Sequence, residues 1–110
     1  DTTPLDTTDG VFFISADGDA GLDFLVEKDN TNTTTEDVAT MADDTFITTT
    51  FFIDKNASKV FYSIDNADPV GVVNTNLPDD EELTISFGIQ NGEASAQTMT
   101  IDYVVAAVER

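Results

Sequence analysis

Apolar side chains recur at every second residue along most of this chain, and that period constrains its fold more than any other feature. Leu22, Phe24 and Val26 share one face of a stretch ending at Lys28. Val60, Tyr62 and Ile64 alternate with Phe61 and Ser63. Leu83, Ile85, Phe87 and Ile89 alternate with Thr84, Ser86 and Gly88, and Met99, Ile101, Tyr103 and Val105 alternate with Thr100, Asp102 and Val104. A strand turns successive side chains to opposite faces, so each stretch predicts a half-buried β-strand. Residues 10–16 and 46–54 read as two further strands. The many threonines suit the same state, because a β-branched side chain packs well on a pleated surface. No segment carries a convincing helical period. Residues 33–44 read as a short strand plus loop, and the largely polar residues 1–9 as a loop.

Turn chemistry falls between these stretches. Asp17-Gly18-Asp19-Ala20-Gly21, Asp29-Asn30-Thr31-Asn32, Lys55-Asn56-Ala57-Ser58, Asn66-Ala67-Asp68-Pro69, Leu77-Pro78-Asp79-Asp80-Glu81 and Asn91-Gly92 are each rich in residues that accept tight or left-handed backbone. Strands separated at short, regular intervals by such turns predict an all-β sandwich or barrel. At 110 residues the chain has room for one core, hence a single domain over residues 1–110.

Composition narrows the function. Histidine and cysteine are absent, which excludes disulfides, Cys/His zinc sites, thiolate catalysis and a Ser-His-Asp triad. Twenty-two acids face four bases, for a net charge of −18. Nucleic acid and anionic lipid both require the opposite sign, so neither is an expected partner. No apolar run is long enough to insert in a membrane as a helix. The acids are spread along the whole chain, which reads as a hydrated surface, with calcium or a basic partner as the sharper alternatives. Retaining glycosidases place two carboxylates about 5–5.5 Å apart. No strand here carries such a pair in sequence, and no enzymatic activity is expected.

The order of the pieces resembles a concanavalin A-like lectin/glucanase (LamG-like) jelly roll, in the version found in virion structural proteins of tailed phages. The resemblance rests on Asp9-Gly10-Val11-Phe12-Phe13, Thr33-Thr34-Thr35, Val60-Phe61-Tyr62-Ser63-Ile64-Asp65, Asn76-Leu77-Pro78, Gly88-Ile89-Gln90-Asn91-Gly92 and Met99-Thr100-Ile101-Asp102-Tyr103. It implies an antiparallel jelly-roll β-sandwich, of which this chain is the C-terminal two-thirds, lacking the first strands. The sequence departs from the pattern at Asn66-Ala67-Asp68, where a glycine is usual, and at Thr45-Phe46-Ile47-Thr48, where Trp-His is usual. The implied role is a non-enzymatic virion protein that decorates or cements a capsid or belongs to the tail. Its partners would be other virion proteins, as a symmetric homo-oligomer or bound to the capsid. The alternative is a carbohydrate-binding module of a phage tail or a secreted, cell-surface protein.

Two groups of residues are candidates for the site. Asp17, Asp19 and Asp23 alternate around glycines and offer three carboxylates to calcium; the same run also reads as an Asp/Gly hairpin turn. No other cofactor is implied. Phe12 and Phe51 lie in runs that are apolar on both faces, while Val104 and Val108 extend the apolar character past the last alternating strand. These four are the expected protein–protein contacts. The residues that would bind a glycan are not identifiable, and Tyr62 and Tyr103 read as core or edge residues rather than a sugar platform.

Overall fold

The computed structural model describes residues 7–73, 75–90, 94 and 96–108. Residues 1–6, Asn74 and the Asn91-Gly92 turn lie outside the described residues. The described chain is all-β, without a helix. Strands β1 (Gly10–Ile14), β2 (Gly21–Lys28) and β3 (Thr31–Thr40) form one antiparallel sheet in the order β1-β2-β3. Strands β4 (Thr49–Asp54), β5 (Lys59–Ile64) and β6 (Val70–Val73) form a second, in the order β4-β5-β6.

The turns fix the registers. Lys28 pairs with Thr31, leaving Asp29 and Asn30 as a two-residue loop, both with positive φ, at 51° and 60°. That is the mirror-image type I′ turn, whose twist matches the twist of the strands it joins. The Asp29 N–H donates to Asp9 Oδ1 at 3.0 Å, and the Asn30 N–H donates to the Thr8 carbonyl at 2.9 Å. The polar residues just before β1 therefore cap the far hairpin. Asp65 and Asn66 repeat the geometry after β5, at 50° and 60°, with the Ala67 N–H closing on the Ile64 carbonyl at 2.9 Å. Between β4 and β5, Asp54 Oδ1 accepts from the N–H groups of Asn56 and Ala57.

The two sheets meet through one small core. Phe24 and Val26 from β2 and Val60 from β5 are fully buried, with Val11, Phe13, Val38, Tyr62, Val72 and Leu77 packed around them. The alternation read in β2 is the alternation of burial, and in β5 Val60 is buried and Tyr62 packs on the same core. Past β6 the chain returns to the first sheet. The Asn76 Nδ2 donates to Thr33 Oγ1 at 2.9 Å, Leu77 joins the core, and Pro78 is buried. Lys28 pairs with Asp79 and lies 3.3 Å from Asp80.

The structure departs from the sequence expectations in three places. The strand expected in 33–44 is longer than read: β3 starts at Thr31 and runs ten residues to Thr40 because β2 supplies a partner, and the loop follows from residue 41. Strand β6, which the turn residues before it obscured, forms on β5. The alternating stretches 83–89 and 99–105 are not paired strands: among the described residues, 82–90 and 96–108 join neither sheet and make no backbone hydrogen bond. Alternation specifies a strand's faces, whereas a ladder also needs a neighbour about 4.8 Å away, and these segments have none.

Candidate functional site

Each three-stranded sheet has two edge strands, β1 and β3 in the first and β4 and β6 in the second. β1 pairs only with β2, and β4 pairs only with β5. Strands β1 and β4 line the same hollow, of about 2500 Å³, and the unpaired segments 82–90 and 97–107 line it too. The hollow is walled by strand-forming sequence that lacks strand partners.

The walls are apolar and exposed. Phe51 of β4 faces the core side of its sheet, opposite Tyr62, and is still 43% exposed, since among the described residues no strand pairs with the outer edge of β4. Phe87 is 56% exposed, and Ile85, Ile89, Ile101 and Val104 are similarly open. The expected contact residues gather here. Phe12, half-buried, Phe51 and Val104 all line the hollow. Val108, 90% exposed, lies with Phe51 on an adjoining smaller hollow. Phe46, Ile85, Phe87 and Ile101 also line the hollow, although the alternation places them in strands with a covered face.

The hollow carries charge of one sign. Asp9, Asp17, Asp43, Asp44, Glu82 and Asp102 line it, and no Lys or Arg is among the described residues that do so. Asp9 is held below the usual carboxylate range, chiefly by the N–H of Asp29 and then by the Thr8 hydroxyl.

The acidic run after β1 is built as a turn. Asp19 Oδ1 accepts the Gly21 N–H at 2.8 Å, the Asp19 N–H donates to the Ala16 carbonyl at 3.1 Å, and Gly18 takes a positive φ of 76°. Asp23 is engaged elsewhere. The register of β2 on β3 shifts between Leu22 and Phe24, and Asp37, at a φ of 52°, donates its N–H to Asp23 Oδ1 at 2.8 Å. Asp23 thus anchors a bulge in β3. Among the described residues, no three acidic side chains gather closely enough to share a metal ion, so Asp17, Asp19 and Asp23 are not brought together as a ligand set.

The two tyrosines separate. Tyr62 packs its ring 5.0 Å from that of Phe24, inside the core, while Tyr103 is 63% exposed on the wall of the hollow. Among the described residues no helix is long and apolar enough to cross a membrane. The chain matches no protein-family model, no curated protein and no solved structure.

Proposed function

We propose that this chain is a non-enzymatic structural module of a virion, a jelly-roll-like sandwich that decorates or cements a capsid or belongs to the tail, and that it works through protein–protein contacts. The supporting observation is the apolar hollow between the open edges of β1 and β4. A module whose task is contact needs exposed apolar surface of this kind, since contiguous patches on soluble proteins mark interaction sites. The outer acids keep the rest of the surface hydrated and repel non-specific neighbours. The virion setting rests on the resemblance of the ordered strand and turn motifs.

Fractionation of the native source on a density gradient, with mass spectrometry of each fraction, tests this reading. Co-sedimentation with assembled particles, in fixed ratio to a major shell protein, is the expected result. A chain that stays at the top of the gradient overturns it. The exposed ring of Tyr103 favours a second reading, a carbohydrate-binding module, because an open aromatic face is what a sugar stacks on. Binding on a glycan array that Tyr103→Ala abolishes would establish it.

A further inference from the structure

We infer that the hollow between β1 and β4 receives an extended segment of a partner polypeptide, apolar at alternate positions and flanked by Lys or Arg, which completes the sheets by β-strand addition. The inference rests on the protein–protein reading above and names the partner's chemistry. Three observations carry it.

The first is the backbone. The outer edges of β1 and β4 and the segments 82–90 and 96–108 present peptide groups with no backbone partner among the described residues. An open row of N–H and C=O groups is a template for another strand, and strand addition is an established mode of peptide capture.

The second is size. A strand residue fills about 160 Å³ at a rise of roughly 3.3 Å, a strand spacing of roughly 4.8 Å and a sheet separation of roughly 10 Å. A hollow of about 2500 Å³ therefore has room for on the order of sixteen strand residues, enough to admit one extended segment of about eleven. The side chains that line it, Phe12, Phe51, Ile85, Phe87, Ile101 and Val104, call for apolar partners at every second position.

The third is charge, which selects among occupants. Six acids and no base line the hollow among the described residues. A second copy of this chain would bring a further net charge of −18 to that wall. A segment with basic flanks meets it with the complementary sign, which also speeds encounter.

The test uses a labelled synthetic peptide, Lys-Lys-Val-Thr-Val-Thr-Val-Thr-Val-Lys-Lys, and the full chain, read by fluorescence anisotropy. Saturable binding is expected, weakened about tenfold or more between about 0.05 M and about 0.5 M NaCl as the charges are screened. A peptide with Glu in place of the four Lys should not bind. N-methylation of alternate peptide groups, which keeps the side chains and removes donors from one edge, should abolish binding. Ile101→Asp, a change at an exposed position that leaves the core intact, should weaken it about tenfold or more. Amide exchange at 83–89 and 99–105 should slow when the peptide binds.

Equal binding of the Glu peptide, indifference to N-methylation, or unchanged exchange overturns the inference. So does a purified chain that self-associates and thereby protects the same amides, since the occupant is then a second copy. A native monomer already protected there has filled the hollow with its own polypeptide, which also overturns it. The two readings fail separately. A chain that runs with particles but ignores the peptide makes its contacts through another surface, and the strand addition is wrong. A chain that binds the peptide as described but never runs with particles retains the strand-receiving hollow and loses the virion setting.

Discussion

The ring of Phe24 lies 5.0 Å from the ring of Tyr62, tilted by 37°, and this contact joins one sheet to the other. Phe24 is fully buried and also meets Phe13 at 4.9 Å within its own sheet. Among the described residues the buried cluster holds three side chains, so little else there can compensate for its loss. Phe24→Ala is expected to cost about 3–5 kcal/mol, the usual range for emptying a buried aromatic site. A double-mutant cycle with Tyr62→Ala should give a coupling of about 0.5–1.5 kcal/mol. Urea denaturation followed by circular dichroism measures both. Additive losses would show that the two sheets do not depend on each other through these rings.

Asn30 occupies the second position of the type I′ turn, at a φ of 60°. Left-handed backbone costs an ordinary L-residue roughly 1–2 kcal/mol, and asparagine and glycine least. Asn30→Ala should therefore destabilise by about 1 kcal/mol, while Asn30→Gly should be neutral within about 0.5 kcal/mol. Thermal melts of the two variants decide it, and equal Tm values would mean that the turn does not set the register of β2 on β3.

Asp23 separates a structural carboxylate from a calcium ligand. Its Oδ1 accepts the Asp37 N–H at the bulge in β3, and an amide oxygen in the same place can accept that bond. Asp23→Asn should retain nearly all stability, and Asp23→Ala should lose about 1 kcal/mol, the net value of one such bond. The Tm of the wild type should move no more with calcium than with magnesium. A calcium-specific rise that Asp23→Asn removes would restore the metal reading of Asp17, Asp19 and Asp23.

What was legible in the sequence follows from which interactions are local. The faces of β2 and β5 could be read because Leu22, Phe24, Val26 and Val60 are buried at the alternating positions. The Asp29-Asn30 and Lys55–Ser58 turns could be read because their residue types meet backbone demands within a few residues. The long β3 was hidden because its threonines state no preferred face until β2 lies beside them. Stretches 83–89 and 99–105 look like strands in sequence yet join no sheet among the described residues, since a ladder is a property of a pair. Of the expected contact residues, Phe12 and Phe51 stand out because their runs are apolar on both faces, and Val104 and Val108 because apolar character continues past the last alternating stretch, yet only the structure brings the first three to one hollow. The tie from Asp9 to Asp29 joins residues twenty apart, and composition holds no sign of it.

That tie predicts an acid limb in the stability curve. The folded state holds the Asp9 carboxyl below its ordinary value of 3.8, first through the Asp29 N–H and next through the Thr8 hydroxyl. The contribution is present in full above pH 3.8 and is lost as the pH falls through the lowered folded value. Asp79 behaves in the same direction because of Lys28. Lys28, raised above 10.5 by Asp79 and then Asp80, contributes below that pH and loses its contribution as the pH climbs through the raised value. The stability difference between wild type and Asp9→Ala should shrink on acidification below 3.8, and that between wild type and Lys28→Gln should shrink above 10.5. Differences that stay constant across those windows would detach these groups from folding.

The charge that selects the partner should also weaken the fold at low salt. The net charge is −18, and one of the four bases, Lys28, is already engaged by Asp79 and Asp80. Screening is nearly absent over the dimensions of this domain at about 0.01 M salt, where the Debye length is about 30 Å, and is strong at about 0.5 M. The folded chain concentrates its acids more than the unfolded chain does, so repulsion destabilises it most when unscreened. Raising NaCl across that range should increase stability by about 1 kcal/mol, or on the order of 5 °C in Tm. NaCl and KCl should act alike, because the effect is screening and not ion binding, and sulfate is avoided because it strengthens apolar burial on its own. A flat Tm across the range would mean that the acids lie too far apart to repel one another. The charge argument for a basic partner at the hollow would then lose its long-range part and keep only direct contacts with the six acids that line it.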